Sequence, residues 1–392
     1  MDSGSKVWIQ EKLGKKASFS KGKGYKKSDL VSKGHPILLY GEMYTNYRES
    51  ISTGITFVAD DQNSVKSNGE EVVVPSSGES AIDIARASSI KMPNLILGGD
   101  LNIIYPDESI DNDFLALSLS NGTVKRELSK KAQGTSITHL YNNDLKNVVF
   151  YYPIVDEQLR ISESINIISK IITLEQEKLA HYHAMKKALS TSIFPKNNES
   201  LPNLTFNGDG GWKQQKLEDF LSIPDKVKVE VTDTDEILSV KLNTNGVVGG
   251  ESRSTLKLGA TTYYRRYSGQ FIYGKQNFFN GAMAIIPEAL NYKVSSGDIP
   301  SLNISNINPI FLYEYLSRPY YYKQTEAMAS GTGSKRIHEK TLLNFKIKVP
   351  NNDIQDNIEQ LFTNLTALLD SQNNKVNKMI QIKKVLLNNL FV

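Results

Sequence analysis

The chain has 392 residues, of which 39% are hydrophobic and 22% charged, with a formal net charge of +4. This is the balance of a globular chain long enough for two domains, not of a disordered or fibrous one, and so small a net charge does not by itself call for a polyanionic partner. There is no cysteine, which excludes a disulfide framework, a thiolate metal site and a cysteine nucleophile. No run of 18 apolar residues and no hydrophobic leader is present, so the expectation is a soluble, cytoplasmic chain without membrane contact.

The first block opens with Trp8-x-x-x-Lys12-Leu13, and from Lys12 to Lys27 seven lysines occur without an acid. Short apolar or β-branched runs follow at 37–40, 55–58, 72–74, 95–97, 103–105 and 148–152, separated by Gly, Asn, Asp and Ser. Such runs predict strands, with a short helix over Asn112–Leu119. A Gly134-Thr135 turn precedes a strand that ends at Pro153. Beyond it lies a long helix that begins near a start-favouring Asp156. A polar linker, 196–211, leads to the second block, where 227–231, 237–242, 271–273 and 283–286 read as strands. Gly331-Thr332, Pro350 and a second long helix then close the chain.

This order is a repeat. Shifted by 197 positions, Ala132–Phe194 aligns without a gap on Ala329–Phe391, with fourteen identities that include Gly134 with Gly331, Pro153 with Pro350 and Gln158 with Gln355. The chain's two tryptophans open the two halves, at an offset of 204. In the long helices, steps of four and three connect Ile161, Ile165, Ile168, Ile172, Leu179 and Leu189, and in the copy Ile358, Phe362, Leu365, Leu369, Val376 and Leu386. That spacing is the seam of a coiled coil. Glu175 and Gln372, and Lys186 and Lys383, are polar at matching seam positions; repeated polar seam residues specify register. The expected fold is α+β, with two mixed, strand-rich domains separated by two long antiparallel coiled-coil helices in an internal pseudo-two-fold repeat. The expected boundaries are 1–153, 154–195 (helix), 196–350 and 351–392 (helix).

Local charge then points to nucleic acid. Lys15, Lys16, Lys21, Lys23, Tyr25, Lys26 and Lys27 mark the first half. In the second, Ser252–Pro287 has five basic residues, no acid and seven aromatics, among them Tyr263, Tyr264, Arg265, Arg266 and Lys275. Clustered Lys and Arg neutralise phosphates, and Arg forks or aromatic rings meet bases; a lysine run on a merely solvated face is the competing reading. Gln133-Gly134-Thr135 and its counterpart Gly331-Thr332, followed by Lys335-Arg336, offer small residues whose backbone N–H groups can approach an anion; a plain tight turn is the alternative.

Enzymatic patterns are missing. Asn308-Pro309-Ile310-Phe311 lacks the second proline of the amino-methyltransferase motif. Neither Gly22–Lys27 nor Gly331–Gly333 has the spacing of a phosphate or dinucleotide loop. Pro106-Asp107 with Asp144-Leu145-Lys146 is only a loose nuclease pattern, and His181 and His183, two apart on a helix, diverge too far to share a metal. No catalytic or metal-binding residue is expected.

Leu201-Pro202-Asn203-Leu204-Thr205-Phe206-Asn207-Gly208, followed by Trp212-Lys213-x-x-Lys216-Leu217-x-Asp219, resembles the entrance to a target recognition domain in the specificity subunits of type I restriction–modification enzymes. Trp8–Leu13 resembles a shortened copy. The Pro-(x)4-Gln-x-x-Ile steps at Pro153–Ile161 and Pro350–Ile358 resemble that family's junction into its conserved helices, and Tyr40–Thr45, which includes Tyr44, resembles one variety of recognition domain. The resemblance covers nearly the whole chain; Thr205 stands where the family often has arginine. It implies a non-catalytic subunit that reads a bipartite site on double-stranded DNA. It also implies two methyltransferase subunits and restriction (translocase) subunits as partners, and S-adenosylmethionine carried by the methyltransferase, with no cofactor on this chain. A coiled-coil protein–protein scaffold without DNA specificity is the alternative; it explains the helices but not the acid-free basic stretches.

Overall fold

The computed structural model describes residues 8–61, 63–134, 137–196, 199–206, 211–231, 233–250, 261–331 and 333–391. The chain divides into two compact units that do not follow the linear boundaries. One comprises Met1–Glu177 with Asn374–Val392, the other Lys178–Asn373, so each unit takes one block and a part of both long helices.

Each unit is closed by a strand pair at the foot of its long helix. In the first, β1 (Ile9–Lys12) runs antiparallel to β2 (Val149–Tyr152); in the second, β3 (Lys213–Lys216) runs antiparallel to β4 (Lys346–Val349). Leu13 and Leu217 follow the entering strands and are fully buried, and their N–H groups donate to the carbonyls of Val148 and Phe345, themselves 197 apart. Proline after β2 and β4 ends each strand, and the helices begin: α2 (Val155–Ser192, 38 residues) and α4 (Asn352–Leu390, 39 residues). Two shorter helices, α1 (Asn112–Ser120) and α3 (Pro309–Leu316), lie in the blocks.

The repeated Pro-(x)4-Gln has a structural cause. The Gln158 side chain is fully buried; its Nε2 donates to the carbonyls of Pro153 (2.8 Å) and Ser109 (2.9 Å), and its Oε1 accepts the Asp111 N–H (2.9 Å). Gln355 donates to Pro350 O (3.1 Å) and accepts from Asn308 N–H (3.0 Å). Asp111 and Asn308 are the N-caps of α1 and α3, with side-chain oxygens that accept the N–H groups of Phe114 and of Ile310 and Phe311. Each glutamine therefore ties the first turn of a long helix to the cap of the block helix, and satisfies backbone groups that burial would otherwise orphan.

A duplicated aromatic trio completes each unit. Trp8, Phe114 and Phe391 meet in the first, with Phe114 ring centroids 5.7 and 5.4 Å from the other two. Trp212, Phe311 and Phe194 meet in the second, at 5.8 to 6.1 Å. Phe391 follows the end of α4 yet packs on the first block, and Phe194, just past α2, packs on the second. The helices therefore pair antiparallel inside each unit. In the first, the start of α2 (Ile161, Ile165, Ile168) shares a core with the end of α4 (Leu387, Leu390), and Lys375 binds Glu175. In the second, Phe194 stacks on Phe362 and Lys186 donates to Thr366.

The seam agrees with expectation at Ile165, Ile172, Ile358, Phe362, Leu365, Leu369 and Val376, which are all buried, while Ile161, Ile168, Leu179 and Leu189 are half-buried. Leu386 is a correction: it is 37% exposed, and Leu387, 7% exposed, faces inward instead. An α-helix drifts about 20° per heptad against a 3.5-residue repeat, so over the four heptads from Ile358 the stripe slips by about 80°, close to one residue.

In the first block a five-stranded sheet has the order Ala17–Lys21, Leu101–Pro106, Val72–Pro75, Ser88–Ile90, Ser50–Ile51, and a four-stranded sheet the order Ile96–Leu97, His35–Leu38, Thr56–Val58, Leu30–Val31. The second block has a four-stranded sheet, Leu221–Ser222, Ser301–Ile304, Phe271–Tyr273, Met283–Ile285, and a three-stranded one, Lys228–Val229, Tyr263–Arg265, Val294–Ser296. All six apolar runs that predict strands in the first block contain strands. Ala17–Lys21 gives no such signal, because only Ala17 and Phe19 are apolar and the remaining positions carry serine and lysine.

Candidate nucleic-acid interface

In the first unit the lysines separate by what they touch. Lys15 pairs with Glu11 at 3.1 Å. Lys16 reaches Asp107 (3.5 Å) and the Ser109 hydroxyl (3.0 Å); burial opposes its charge, but Asp107 beside it holds its pKa above the usual lysine value. Both serve the fold. Lys21, Lys23, Lys26 and Lys27 differ: all are exposed, and among the described residues no carboxylate pairs with their ammonium groups. Lys21 lies over the Tyr141 ring at 5.5 Å. The turn that carries them is pinned from beneath: Lys23 N–H donates to Leu97 O, and Gly99 N–H to Gly24 O. A side chain at Gly22 would have its Cβ 1.9 Å from the Gly98 carbonyl, so only glycine permits this approach. Tyr25 takes a left-handed φ of 58° and donates its hydroxyl to Asp60 O. The result is a braced turn holding four unneutralised cations toward solvent.

Tyr44 is structural here. Its hydroxyl donates to Ser77 O (2.9 Å), and burial raises its pKa above the tyrosine range. In the same segment the buried Glu42 carboxylate accepts from Arg48 and from the Thr56 hydroxyl, which explains the Tyr40–Thr45 pattern as a packing device.

In the second unit the strand Tyr263–Arg265 presents Tyr264 and Arg265 half-exposed, and Arg265 donates to the Tyr292 carbonyl. Tyr292 and Tyr267, both exposed, meet edge to face at 5.7 Å. Tyr263 and Arg266 are corrections: both are 4% exposed. Tyr263 packs with Val231 and Val294. Arg266 donates to Ser295 Oγ (2.7 Å), Ser301 Oγ (3.4 Å), Ser296 O (3.3 Å) and Ile299 O (3.2 Å), and burial pulls its pKa down to about 10. A guanidinium spent on four internal acceptors is a strut, not an arm. Lys275 is likewise committed, 3.0 Å from Glu339. Burial opposes the Glu339 charge, but its own N–H, Lys275 and Lys226 together hold its pKa below the usual carboxylate value.

The glycine segments are each closed by an isolated antiparallel bridge. Gln133 and His139 exchange backbone hydrogen bonds, as do Ser330 and Arg336, and Gly134 and Gly331 have φ of 131° and 120°. Thr135 and Thr332 lie outside the described residues. Lys335 pairs with Glu326 (2.8 Å) and Arg336 with Asp298 (3.5 Å). Asn308, which opens the partial methyltransferase motif, is spent as the α3 cap. Lys226, Lys228 and Tyr292 lie beyond the acid-free stretch and carry no signal in the sequence. Their adjacency to Tyr264 and Arg265 comes from the antiparallel pairing of Lys228 with Tyr264 and the Arg265–Tyr292 hydrogen bond.

No helix among the described residues is long and apolar enough to cross a membrane. Residues 210–381 match the family model described as the type I restriction modification DNA specificity domain. No curated protein matches the chain. Among solved structures, the chain is similar to the type I restriction–modification S subunit from M. genitalium, at 14% identity and a TM-score of 0.61 over 100% of this chain and 97% of that one. It is also similar to a chain from a structure of complex assembly and conformational transition of the type I R-M system, at 13% identity and a TM-score of 0.57 over 98% and 97%. These likenesses show the fold end to end, and the match to the type I restriction modification DNA specificity domain covers residues 210–381, somewhat under half of the chain.

Proposed function

We propose that each unit reads one part of a split double-stranded DNA site and that the chain is itself non-catalytic. The observation that carries this is the doubling of one frame. The second unit holds most of the matched specificity domain, and the first repeats its strand pair, its glutamine clasp and its aromatic trio. In the first unit Lys21, Lys23, Lys26 and Lys27 contact phosphates; in the second Arg265, Tyr264, Tyr267 and Tyr292 do the corresponding work, with Lys226 and Lys228 beside them. Phosphate contacts position such a domain, and contacts to base edges specify the sequence. The partners are two methyltransferase subunits, which bring S-adenosylmethionine, and restriction subunits that join them. The two helices, each roughly 57 Å long at about 1.5 Å per residue, set the number of unread base pairs between the two parts of the site.

Co-expression with the partner methyltransferase, followed by mapping of methylated positions by long-read sequencing, tests the reading. The expected result is one bipartite motif that appears only when this chain is present. An undivided motif, or methylation independent of the chain, overturns it.

A further inference from the structure

The second unit contains a cavity of about 400 Å3 beside the end of α2, with four cations in its wall (Lys186, Lys187, Lys196 and Arg318) and a single carboxylate, Glu314; of these cations Lys196 is paired with Glu199 at 3.5 Å. Glu314 is already committed to Lys186 at 3.4 Å. Lys187 is exposed, and among the described residues no carboxylate pairs with it. The decisive residue is Arg318, only 6% exposed. Its guanidinium lies between two aromatic faces, 4.1 Å from the Tyr315 ring centroid and 4.7 Å from that of Phe194. Its polar partners among the described residues are both on Tyr315: the carbonyl, 3.0 Å from Nε, and the hydroxyl. A guanidinium carries five N–H donors, so most of its capacity is not taken up by Tyr315, and the residue lines the cavity. Burial lowers its pKa, as expected of a buried cation that no carboxylate neutralises.

The frame does not need this arrangement. At the 197-residue offset, Arg318 corresponds to Asn121, which donates to Leu117 O, and Glu314 corresponds to Leu117. The first unit builds the same aromatic trio and the same glutamine clasp without a buried cation at that place. A buried arginine without a counter-ion is costly to keep, and the duplicate shows that packing alone does not require it.

We propose that this cavity binds a phosphate group, carried either by free orthophosphate or by a mononucleotide. The Arg318 fork and the Lys187 ammonium match a dianion, and Ser190, Thr191 and Ser317 supply hydroxyl donors at its wall. The space exceeds what orthophosphate fills, and Tyr320 at the rim, 51% exposed, offers a ring face to a base. The site is independent of the DNA-facing surfaces described above.

The test is calorimetric titration of the full chain with sodium phosphate and, separately, with AMP, against sodium chloride at matched ionic strength. Binding of orthophosphate that falls at least about tenfold in Lys187→Glu, an exposed position that leaves the fold intact, and in Arg318→Gln, is the expected result. The Lys170→Glu control in the first unit should bind as the wild type does. Tighter binding of AMP than of orthophosphate assigns the mononucleotide, and equal binding assigns the free anion; both support the proposal. Absence of heat and of any thermal shift with either probe, or binding unchanged in Lys187→Glu, overturns it. So does displacement of orthophosphate by a short duplex oligonucleotide with the same Lys187 dependence, which would assign the cavity to the DNA backbone.

Discussion

Replacing Gln158 with leucine keeps the side chain's approximate volume and removes all of its hydrogen bonds. Three backbone groups then lose a partner: the Asp111 N–H and the carbonyls of Ser109 and Pro153, now held at 2.8 to 2.9 Å. A buried backbone group left unsatisfied costs about 1–3 kcal/mol. Asp111 and Ser109 are only partly buried, so water recovers some of this, and the expected loss is about 3 kcal/mol. The Gln355→Leu counterpart loses its bonds to Asn308 N–H and Pro350 O, at 3.0 and 3.1 Å, and its weak 3.5 Å contact with Asn352 is negligible. It should cost about 2 kcal/mol. The damage is local, so hydrogen exchange measured by mass spectrometry is the assay. Peptides covering α1 should lose about 100-fold in protection in Gln158→Leu, since each ~1.4 kcal/mol is tenfold, while peptides covering α3 stay unchanged; Gln355→Leu should do the reverse. If protection of α1 is the same in Gln158→Leu and wild type, the glutamine does not clasp the block helix to α2 and the account of the repeated motif fails.

Arg266→Ala should lower the chain's resistance to denaturant by about 2 kcal/mol through its orphaned acceptors, whereas Arg265→Ala should leave unfolding unchanged and weaken DNA binding of the assembled complex; equal stability of the two variants would refute the division of labour. Changing Lys21, Lys23, Lys26 and Lys27 together to alanine should flatten the salt dependence of DNA affinity by about 0.9 in logarithmic slope for each phosphate that is no longer neutralised, and an unchanged slope removes this turn from the interface. Matched seven-residue insertions, after Glu175 in α2 and before Lys375 in α4, keep the seam and should widen the gap in the methylated motif by about three base pairs, from about 10.5 Å of added helix; an active variant with an unwidened gap shows that the helices are not the ruler. Burial raises the pKa of Glu314, and Lys186 only partly offsets this. Its neutral form is therefore favoured in the fold, and that contribution is complete below the unfolded carboxyl pKa and lost as pH rises through the folded one. Glu314→Gln should thus match or exceed wild-type stability at neutral pH, with any advantage shrinking toward pH ~4; a clear loss at neutral pH would mean that the Lys186 pair outweighs the burial.

The repeat, the strand runs and the two long helices were legible in the sequence because each rests on local spacing: a 197-residue offset, alternation within short runs, and steps of three and four. Even there the helix seam needed the structure at its end, where accumulated drift turns Leu386 outward and Leu387 inward. The glutamines at 158 and 355 could be seen to recur, but not why, since their partners Asp111 and Asn308 lie 47 residues away along the chain. Charge was the least legible property. Lys12–Lys27 and Ser252–Pro287 look uniformly basic in sequence, yet Lys16, Lys275 and Arg266 are consumed by acceptors from distant strands and turns, whereas Lys21, Lys23, Lys26 and Lys27 stay exposed and Arg265 half-exposed. Arg318 carried no signal at all, standing alone between serine and proline. Whether a cation is an arm or a strut depends on which acceptors the fold brings within about 3 Å, and that is set by long-range strand pairing that no local pattern encodes.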